Sequence, residues 1–452
     1  MRDGASCTAT VAAEAPGDGV ERSRTAAASA LVPTVEGHDH PRELRLAFLA
    51  AVVSLVTAFA TAAAPIPLYN IYRAQDGLTN SAISLAIVTY SVGTIVGLLV
   101  LGRLSNHLGR RITTIASLGL LFAGCLLFLN VHQVATLLTG RILMGLGTGL
   151  ANTSLTSYVV DAAPAKPEWL ASVASSQGPM LGLAVGAIAS GATVEFSRWP
   201  RELIFLVCAG FLLLSAALIA ASPETAAPMP GAWRSLLPRI SVPVRARHLL
   251  PVASAIFVAT WATGAFYQAF VPALVEDQLH TRSSLVLGLV FAAYMASSAF
   301  GAPVGGRFTP AAGQRIGMII YLAGMIGGVA AIDHGALPSF IVATIVAGAG
   351  QGIVISAATR GLLHGTSPAH RAPIFGAIYL ISYTGATVLS LAFGRLSNIF
   401  SLPQIALGYG GLAALATVVT IFGARDPLPD SGDAMLEKPV SVPRLEGSDA
   451  GR

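Results

Sequence analysis

The sequence predicts an all-α integral membrane protein in which twelve transmembrane helices form two pseudo-symmetric bundles of six. Hydrophobic residues make up 54% of the 452-residue chain and charged residues only 11%, and its mean hydropathy is +0.69. Soluble domains carry about 25% charged residues, so a soluble fold is excluded. Uncharged segments recur at regular intervals, and one polar, proline-containing stretch divides them into two equal sets.

Each uncharged segment has the length of a membrane-crossing helix, which takes about 20 residues at a rise of about 1.5 Å per residue. Only the fourth segment contains an arginine, Arg141. The predicted spans are 46–68, 81–101, 112–130, 134–160, 169–194, 202–222, 249–275, 283–305, 316–332, 336–359, 372–394 and 402–423.

The spans define the domain organisation. Residues 42–222 and 249–425 are the predicted six-helix bundles, and residues 223–248 are a cytoplasmic linker between them. Residues 1–41 and 426–452 are rich in small, polar and charged residues, which predicts disordered cytoplasmic tails. The first forty residues contain no apolar run typical of a signal peptide.

Basic residues in the loops predict the orientation. With a cytoplasmic N-terminus, the inside loops hold twelve Lys and Arg residues and the outside loops hold five. This excess predicts a multi-pass protein of the plasma (inner) membrane with both termini in the cytoplasm. The sequence pI of about 9.3 has the same origin, because the basic residues lie in short loops and form no nucleic-acid-binding face.

Several functional classes lack their sequence signatures. Cys7, Cys125 and Cys208 show no CxxC spacing, so neither a disulfide framework nor a metal site is expected. No phosphate-binding glycine loop that would indicate ATP-driven transport is present. An integral membrane enzyme would need a dense set of His, Asp or Cys near one interface, and the sequence shows no such set. We therefore expect a monomer without catalytic activity, cofactor or metal, whose partners are the lipid bilayer and a small-molecule substrate.

A glycine- and arginine-rich stretch after the second span, residues 102–111, is predicted to be a short turn. Glycines at both ends allow chain reversal. Gly102-Arg103-Leu104 and Gly109-Arg110-Arg111 align without a gap on Gly306-Arg307-Phe308 and Gly313-Gln314-Arg315, in the same loop of the second half. The match predicts an internal repeat.

These motifs resemble those of the major facilitator superfamily, in its twelve-span drug:proton antiporter type. The loop resembles Gly-x-Leu-x-Asp-x-x-Gly-Arg-Arg, with Asn106 in place of the acid. Residues 141–147 resemble the span-four motif Arg-x-x-Gln-Gly-x-Gly, with Met144 in place of Gln. Residues 178–182 resemble the span-five antiporter motif Gly-Pro-x-x-Gly, and Pro223-Glu224-Thr225 resembles the common ending of the first half.

The resemblance implies two bundles around a central cavity that opens alternately to each side. It assigns a gating role to Gly102, Arg103, Asn106, Gly109, Arg110, Arg111, Asp161 and Arg307. Asp161 ends the fourth span, where the helix dipole disfavours an acid, so we expect a contact with Arg110 or, as second choice, Arg103. We hypothesise that the Asp161–Arg110 contact helps to hold an outward-facing state. The alternative is a solvated loop acid.

Arg141 is predicted to be a cavity cation that modulates proton movement or binds substrate, because a buried arginine usually faces the bundle interior. The alternative is a side chain that reaches the outer interface. Gly178, Pro179 and Gly182 are predicted to form a helix bend that shapes the outer closure of the cavity. Their alternative role is close helix packing.

Polar and aromatic residues in the middle of the spans are the predicted substrate-binding set. Amides should face protein or water, which favours Asn152, Gln268 and Gln351. Helix packing or a place in an interfacial aromatic belt is the alternative role of each aromatic residue. The full set is Tyr90, Asn152, Gln177, Trp261, Tyr267, Gln268, Tyr294, Gln351, Tyr379 and Tyr383.

No Asp or Glu lies well inside a predicted span, which argues against simple proton antiport and against a cationic substrate. Glu276 and Asp277, at the outer end of the seventh span, could accept protons from that side. The alternative is a pair of solvated acids. The leading prediction is an exporter of small lipophilic or amphipathic molecules, driven by the proton gradient. The alternative is an importer or symporter of a small metabolite.

Overall fold

The structure, a computed structural model, describes residues 42–164, 166, 169–226, 229–230, 244–366 and 371–427. Both predicted tails, apart from residues 426–427, and most of the predicted linker lie outside the described residues. In this part of the chain every regular element is helical, and twelve helices are long and apolar enough to cross a membrane. The all-α, twelve-span prediction is therefore confirmed.

The six long helices of the N-terminal half are α1 Arg42–Ala63, α2 Asn80–Leu108, α3 Arg110–Phe128, α4 Val134–Ala162, α5 Trp169–Phe196 and α6 Pro200–Ala221. Those of the C-terminal half are α7 Leu250–Ala269, α8 Ser284–Gly305, α9 Pro310–Asp333, α10 Leu337–Leu363, α11 Arg371–Leu396 and α12 Leu402–Gly423. Acidic residues in these helices stand within the first or last turn, as the sequence predicts.

Two predicted spans extend too far at their C-terminal ends, because prolines interrupt the helices there. The first span ends at Ala63 rather than residue 68, ahead of Pro65 and Pro67, and the short helix Tyr69–Asp76 follows it. The seventh ends at Ala269 rather than residue 275, and the short helix Val271–Asp277 follows. Proline has no N–H to donate and its ring clashes with the preceding turn, so apolar sequence alone does not keep a helix continuous.

The stretch 102–111 is not a turn along its whole length, which corrects the prediction. Helical backbone continues from α2 through a π-helical segment at Gly97–Leu101 and a 3₁₀ turn at Gly102–Leu104 to Leu108. The chain reverses at Gly109, whose φ of 96° is readily accessible only to glycine.

The internal repeat is visible in the helix packing, but its predicted register holds for only part of the loop. Gly145 of α4 lies against the backbone of Tyr90, and Gly348 of α10 lies in the same way against Tyr294, 204 residues after Tyr90. In the following helices, however, the residue of α9 that is equivalent to Ser117 of α3 is Gly317, which lies only 200 residues later. The second loop is therefore four residues shorter.

This shorter loop changes what the second motif copy does. Gly313 and Arg315 lie inside α9, and Arg315 donates to the Ile421 and Ala424 carbonyls at the end of α12. Arg315 therefore does not occupy the position of Arg111. Arg307 is exposed in the connection between α8 and α9.

The two halves meet through α5 with α8 and through α2 with α11. We call the end of the bundle that carries the two short helices the outer end, following the predicted orientation. At this end Asn70 Nδ2 donates to the Pro272 carbonyl at 2.8 Å, and Glu195 accepts from the Ser284 N–H at 3.0 Å. The outer ends of the halves are thus in direct contact.

Candidate functional site

A carboxylate network surrounds Gly109 at the inner end of the N-terminal half. Glu224, three residues after α6, accepts hydrogen bonds from the Arg110 N–H at 2.7 Å and the Arg111 N–H at 3.1 Å. The carboxylate therefore caps α3, where free N–H groups and the helix dipole both favour an anion. A Cβ on Gly109 would lie 2.5 Å from this carboxylate, so a side chain there would displace the cap.

The Arg110 side chain makes the contact that the sequence analysis favoured. Its Nε donates to Asp161 Oδ2 at 3.0 Å, and an Nη donates to Asn106 Oδ1 at 2.7 Å and Ser105 Oγ at 2.9 Å. Asn106 therefore still supplies an oxygen to Arg110, without the charge of an aspartate.

The Arg110–Asp161 contact lies entirely within the N-terminal half, and it is present while the outer ends of the halves are in contact. That the contact helps to hold an outward-facing state stays a prediction. The gating roles of Gly102, Arg103, Arg111 and the other loop residues stay predictions.

Arg141 is fully buried, with 0% of its surface exposed, and this excludes the alternative in which it reaches the interface. One Nη donates to the Ala62 carbonyl at 2.9 Å, and the other donates to the Tyr69 hydroxyl. Its guanidinium carbon lies 5.3 Å from the ring centre of Tyr69 and 5.6 Å from that of Tyr90. These distances are those of cation–π contacts.

The charge of Arg141 is not neutralised by an acid of the described residues, none of which lies within ion-pair distance. Its Nε has no hydrogen-bond partner among them either. The N-terminal half thus contains a buried positive charge that is held by π faces and neutral oxygens.

An aromatic cluster and one amide meet where the two halves face each other. Trp261 of α7 lies edge to face with Tyr379 and Tyr383 of α11, at centroid distances of 6.2 and 4.5 Å. The Asn152 side chain of α4, in the other half, lies within reach of the Tyr379 hydroxyl. All four residues are partly exposed, so they border accessible space. We call Asn152, Trp261, Tyr379 and Tyr383 the central cluster.

Other predicted binding residues are not in this cluster. Tyr267 and Tyr294 are buried inside the C-terminal half, where their rings stack at 4.2 Å and the Tyr267 hydroxyl meets Thr344 Oγ1 at 2.9 Å. The prediction that they line the cavity is wrong, because in an all-apolar bundle helical spacing does not separate a cavity face from a helix–helix contact.

The three glutamines are also dispersed. Gln268 donates weakly to the Gly264 carbonyl of its own helix at 3.4 Å, near the outer end. Gln177 of α5 is partly exposed and donates to Ser176 Oγ at 3.2 Å. Gln351 is buried, and its Oε1 has no partner among the described residues.

Pro179 lies inside α5, which stays helical from Trp169 to Phe196. Gly182 packs on α1, where a Cβ would lie 2.6 Å from the Val56 carbonyl, and Gly178 faces Leu55. Close helix packing is therefore the role that the geometry shows. The bend stays a prediction.

Residues that the sequence analysis did not assign to a site also bring distant elements together. Asp426, three residues after α12, accepts from the Ala311 N–H at 2.9 Å and from Thr309 Oγ1 at 3.2 Å, as Glu224 does in the first half. The sequence feature that could have revealed both caps is an acid at the same distance beyond the last helix of each half.

Cys125 and Cys208 are buried and unbridged, and Cys7 lies outside the described residues.

Two curated relatives match short parts of the chain. The "Probable glucose transporter rco-3" of Neurospora crassa is 29% identical over 90 residues, 20% of this chain and 15% of that protein. The "Probable inositol transporter 2" of Arabidopsis thaliana is 30% identical over 131 residues, 28% of this chain and 22% of that protein. The chain matches less than a quarter of the length of each relative.

Solved transporter structures share the fold. A POT family transporter in complex with 5-aminolevulinic acid aligns with a TM-score of 0.67 and 13% identity, over 87% of this chain and 98% of that one. A mutant form of the nucleoside transporter NupG aligns with a TM-score of 0.67 and 8% identity, over 84% of this chain and 100% of that one.

Family membership follows from the sequence profile of the Major Facilitator Superfamily, which matches residues 46–281 and again residues 252–445. The two matches cover nearly all of the described chain, one over each half. Together with the twelve spans and the shared fold, they show what kind of protein this is. The chain belongs to the Major Facilitator Superfamily and is a membrane transporter.

Proposed function

We propose that this transporter exports small lipophilic or amphipathic molecules that carry no positive charge. The observation that supports this most directly is the central cluster, in which Trp261, Tyr379 and Tyr383 face Asn152 across the two halves. Aromatic rings supply large apolar contact area, and a single amide can orient a polar group of the substrate. The described spans place no acid beside this cluster to attract a cation.

Support for export, rather than import, comes from the antiporter-type motif at Gly178, Pro179 and Gly182. A proton gradient is the proposed energy source. Because the described spans hold acids only near their ends, the coupling proton would have to bind elsewhere, with Glu276 and Asp277 as candidates. We further propose a plasma (inner) membrane location with both termini in the cytoplasm, and a monomer as the working unit.

A second candidate is an importer or symporter of a small sugar or polyol. The names of the two curated relatives favour it, although each match covers a small part of both chains. A sugar needs several hydrogen-bonding groups around it, whereas the central cluster offers one amide, two hydroxyls and one indole N–H.

Transport by inverted membrane vesicles tests both candidates. A panel of lipophilic dyes, aromatic acids, glucose and inositol is measured with and without an imposed pH gradient. The proposal expects gradient-dependent accumulation of an aromatic compound, and it expects Trp261→Ala to lower that rate at least tenfold. Trp199→Ala is the matched control, because Trp199 is 72% exposed at the outer end.

Two outcomes would contradict the proposal. Movement of glucose or inositol with no movement of the aromatic compounds would favour the second candidate. Accumulation that is the same with and without the pH gradient would exclude proton coupling.

A further inference from the structure

A groove runs along the outside of the C-terminal half, between α9 and α10. Its volume is about 460 Å³, and its lining is apolar except for the hydroxyl of Ser339. The helices on which α9 packs most extensively are α10 and α12 of its own half, so the groove lies away from the boundary between the halves. The lining residues are Ala323, Gly324 and Gly327 of α9 and Pro338, Ser339, Val342, Ala343 and Val346 of α10.

The groove begins near the outer membrane surface and runs toward the middle of the bilayer. The turn between α9 and α10 belongs to the outer end, because a Cβ on Gly335 would lie 3.5 Å from the Gln278 carbonyl, directly after the short helix Val271–Asp277. Ser339 and Val346 are separated along α10 by about 10 Å. The groove therefore covers about two-thirds of the apolar thickness of one leaflet.

Hydrocarbon is the filling that suits this groove better than water or another helix. Water lacks the polar partners that it needs in an apolar cavity. At the floor α9 and α10 touch, since a Cβ on Gly324 would clash with the Ala347 backbone. A neighbouring helix, about 10–12 Å wide with its side chains, would rest on the exposed Ile326 and Val342 and leave the floor empty. A flexible acyl chain is narrow enough to reach the floor.

The N-terminal half fills the equivalent space with its own side chains. Gly327 corresponds to Leu127, and Ala347 corresponds to Met144, whose side chain packs on Gly124. The C-terminal half has a glycine and an alanine at these two positions. Small residues that leave space between helices lose packing contacts unless another molecule supplies them. A lipid chain in the groove would supply these contacts.

The mouth of the groove has groups that suit a phospholipid headgroup. α10 begins at Leu337 with no side-chain cap from the described residues, so its first N–H groups have no partner within the helix. Free N–H groups and the helix dipole both favour a phosphate at this position. Asp333 is exposed at the adjacent end of α9, and its charge favours a headgroup that also carries an ammonium group.

We propose that this groove binds one acyl chain of an outer-leaflet phospholipid with an ethanolamine headgroup, whose phosphate lies at the start of α10. The site is separate from the central cluster. It depends on neither the transported substrate nor the direction of transport.

Native mass spectrometry of the delipidated full-length protein, titrated with palmitoyl-oleoyl phosphatidylethanolamine, tests this site. Gly327→Leu should fill the groove, because a Cβ there would lie 3.3 Å from the Ala343 Cβ and needs only a small shift. We expect it to weaken binding of the first lipid at least fivefold. Gly119→Leu is the matched control and should bind as the parent does, because Gly119 is exposed on α3 with open space around it.

Two further measurements separate lipid binding from a folding defect and from other occupants. The phospholipid should raise the unfolding temperature of the parent more than that of Gly327→Leu, since a ligand stabilises only a protein that binds it. In the parent protein alone, glycerophosphoethanolamine, which has no acyl chain, should not compete with the phospholipid.

Four results would overturn the proposal. These are unchanged lipid binding in Gly327→Leu, an equal loss in Gly119→Leu, competition by the chain-free headgroup, and a parent dimer that Gly327→Leu dissociates. The last result would assign the groove to a second copy of this chain.

Discussion

Two equivalent positions, Arg141 in α4 and Thr344 in α10, show how the two halves differ although their helices pack in the same way. Each lies four residues before the glycine that packs on its neighbouring tyrosine backbone, Gly145 in one half and Gly348 in the other. Arg141 places a cation among the rings of Tyr69, Tyr90 and Phe128.

Thr344 instead donates to or accepts from the Tyr267 hydroxyl, and the Tyr267 ring stacks on Tyr294. The C-terminal half therefore fills the same space with neutral groups. Packing alone does not require a buried charge at this position, so we expect Arg141 to serve transport and Thr344 to serve stability.

The largest effect is expected from Arg141→Met. Leaving the Tyr69 and Ala62 oxygens without a donor should lower the unfolding free energy by about 1–3 kcal/mol. Removing the buried charge should raise the unfolding free energy by about 2.5–3.5 kcal/mol. We therefore expect an unfolding temperature close to that of the parent protein and a loss of transport of more than tenfold. Thermal unfolding in detergent and vesicle transport measure the two quantities.

Thr344→Val is the matched change in the other half. It removes one hydrogen bond and should lower stability by about 1 kcal/mol, with transport within twofold of the parent. Retention of transport by Arg141→Met, or an equal loss in Thr344→Val, would show that the two halves do not differ in the proposed way.

The outer acids of the two halves also differ, because Asp76 is paired inside its own half whereas Asp277 is paired across the boundary. Burial raises the pKa of Asp76, but hydrogen bonds and charges from Arg201 and His132 outweigh burial and hold this pKa below its ordinary value. A carboxyl group with a lowered pKa stabilises the fold above its unfolded-state pKa, and the stabilisation is lost as the pH falls through the folded-state pKa.

Arg201→Met should therefore lower the unfolding free energy near neutral pH by about 3 kcal/mol, since it leaves a buried carboxylate without its main partner. The difference in unfolding free energy between Arg201→Met and the parent protein should be constant above about pH 5 and should shrink below about pH 4. Thermal unfolding over this pH range provides the measurement. Arg198→Met, at an exposed outer position, is the control, and a pH-independent difference would exclude Asp76 as the cause.

The sequence predicted the twelve spans well because bilayer thickness fixes the length of each apolar run. It also predicted the Arg110–Asp161 contact, because an acid at a helix C-terminus needs a nearby cation. The four-residue difference between the loops was not predictable from the Gly-Arg motif. That difference appears only when packing partners such as Tyr90 and Tyr294 are compared.

The site was less predictable than the fold. Asn152, Trp261 and Tyr383 come together, whereas Tyr267 and Tyr294 do not, because the sequence of an all-apolar helix does not show which face meets another helix. The caps made by Glu224 and Asp426 were missed for another reason. Each acid folds back on a helix more than 110 residues earlier in the chain, and only tertiary structure reveals such a contact.

These two caps offer a third comparison. Glu224 accepts from two backbone N–H groups of α3, whereas Asp426 accepts from one N–H of α9 and from Thr309, because Pro310 has no N–H. Loss of a helix cap costs about 1 kcal/mol. Glu224→Gln should therefore lower the unfolding temperature more than Asp426→Asn does. Equal effects, or an effect of the control Asp333→Asn at the exposed end of α9, would contradict this order.

The smallest effect is expected from Asn106→Asp, which introduces a carboxylate beside Arg110. Asn106 is exposed and its oxygen already accepts from Arg110 at 2.7 Å, so the added charge should contribute only about 0.2–1 kcal/mol of stability. The gain should vanish in an Arg110→Gln background, and a double-mutant cycle of unfolding temperatures measures this dependence. A gain that persists without Arg110 would mean that the acid stabilises this end of the N-terminal half through the helix backbone and not through the arginine that pairs with Asp161.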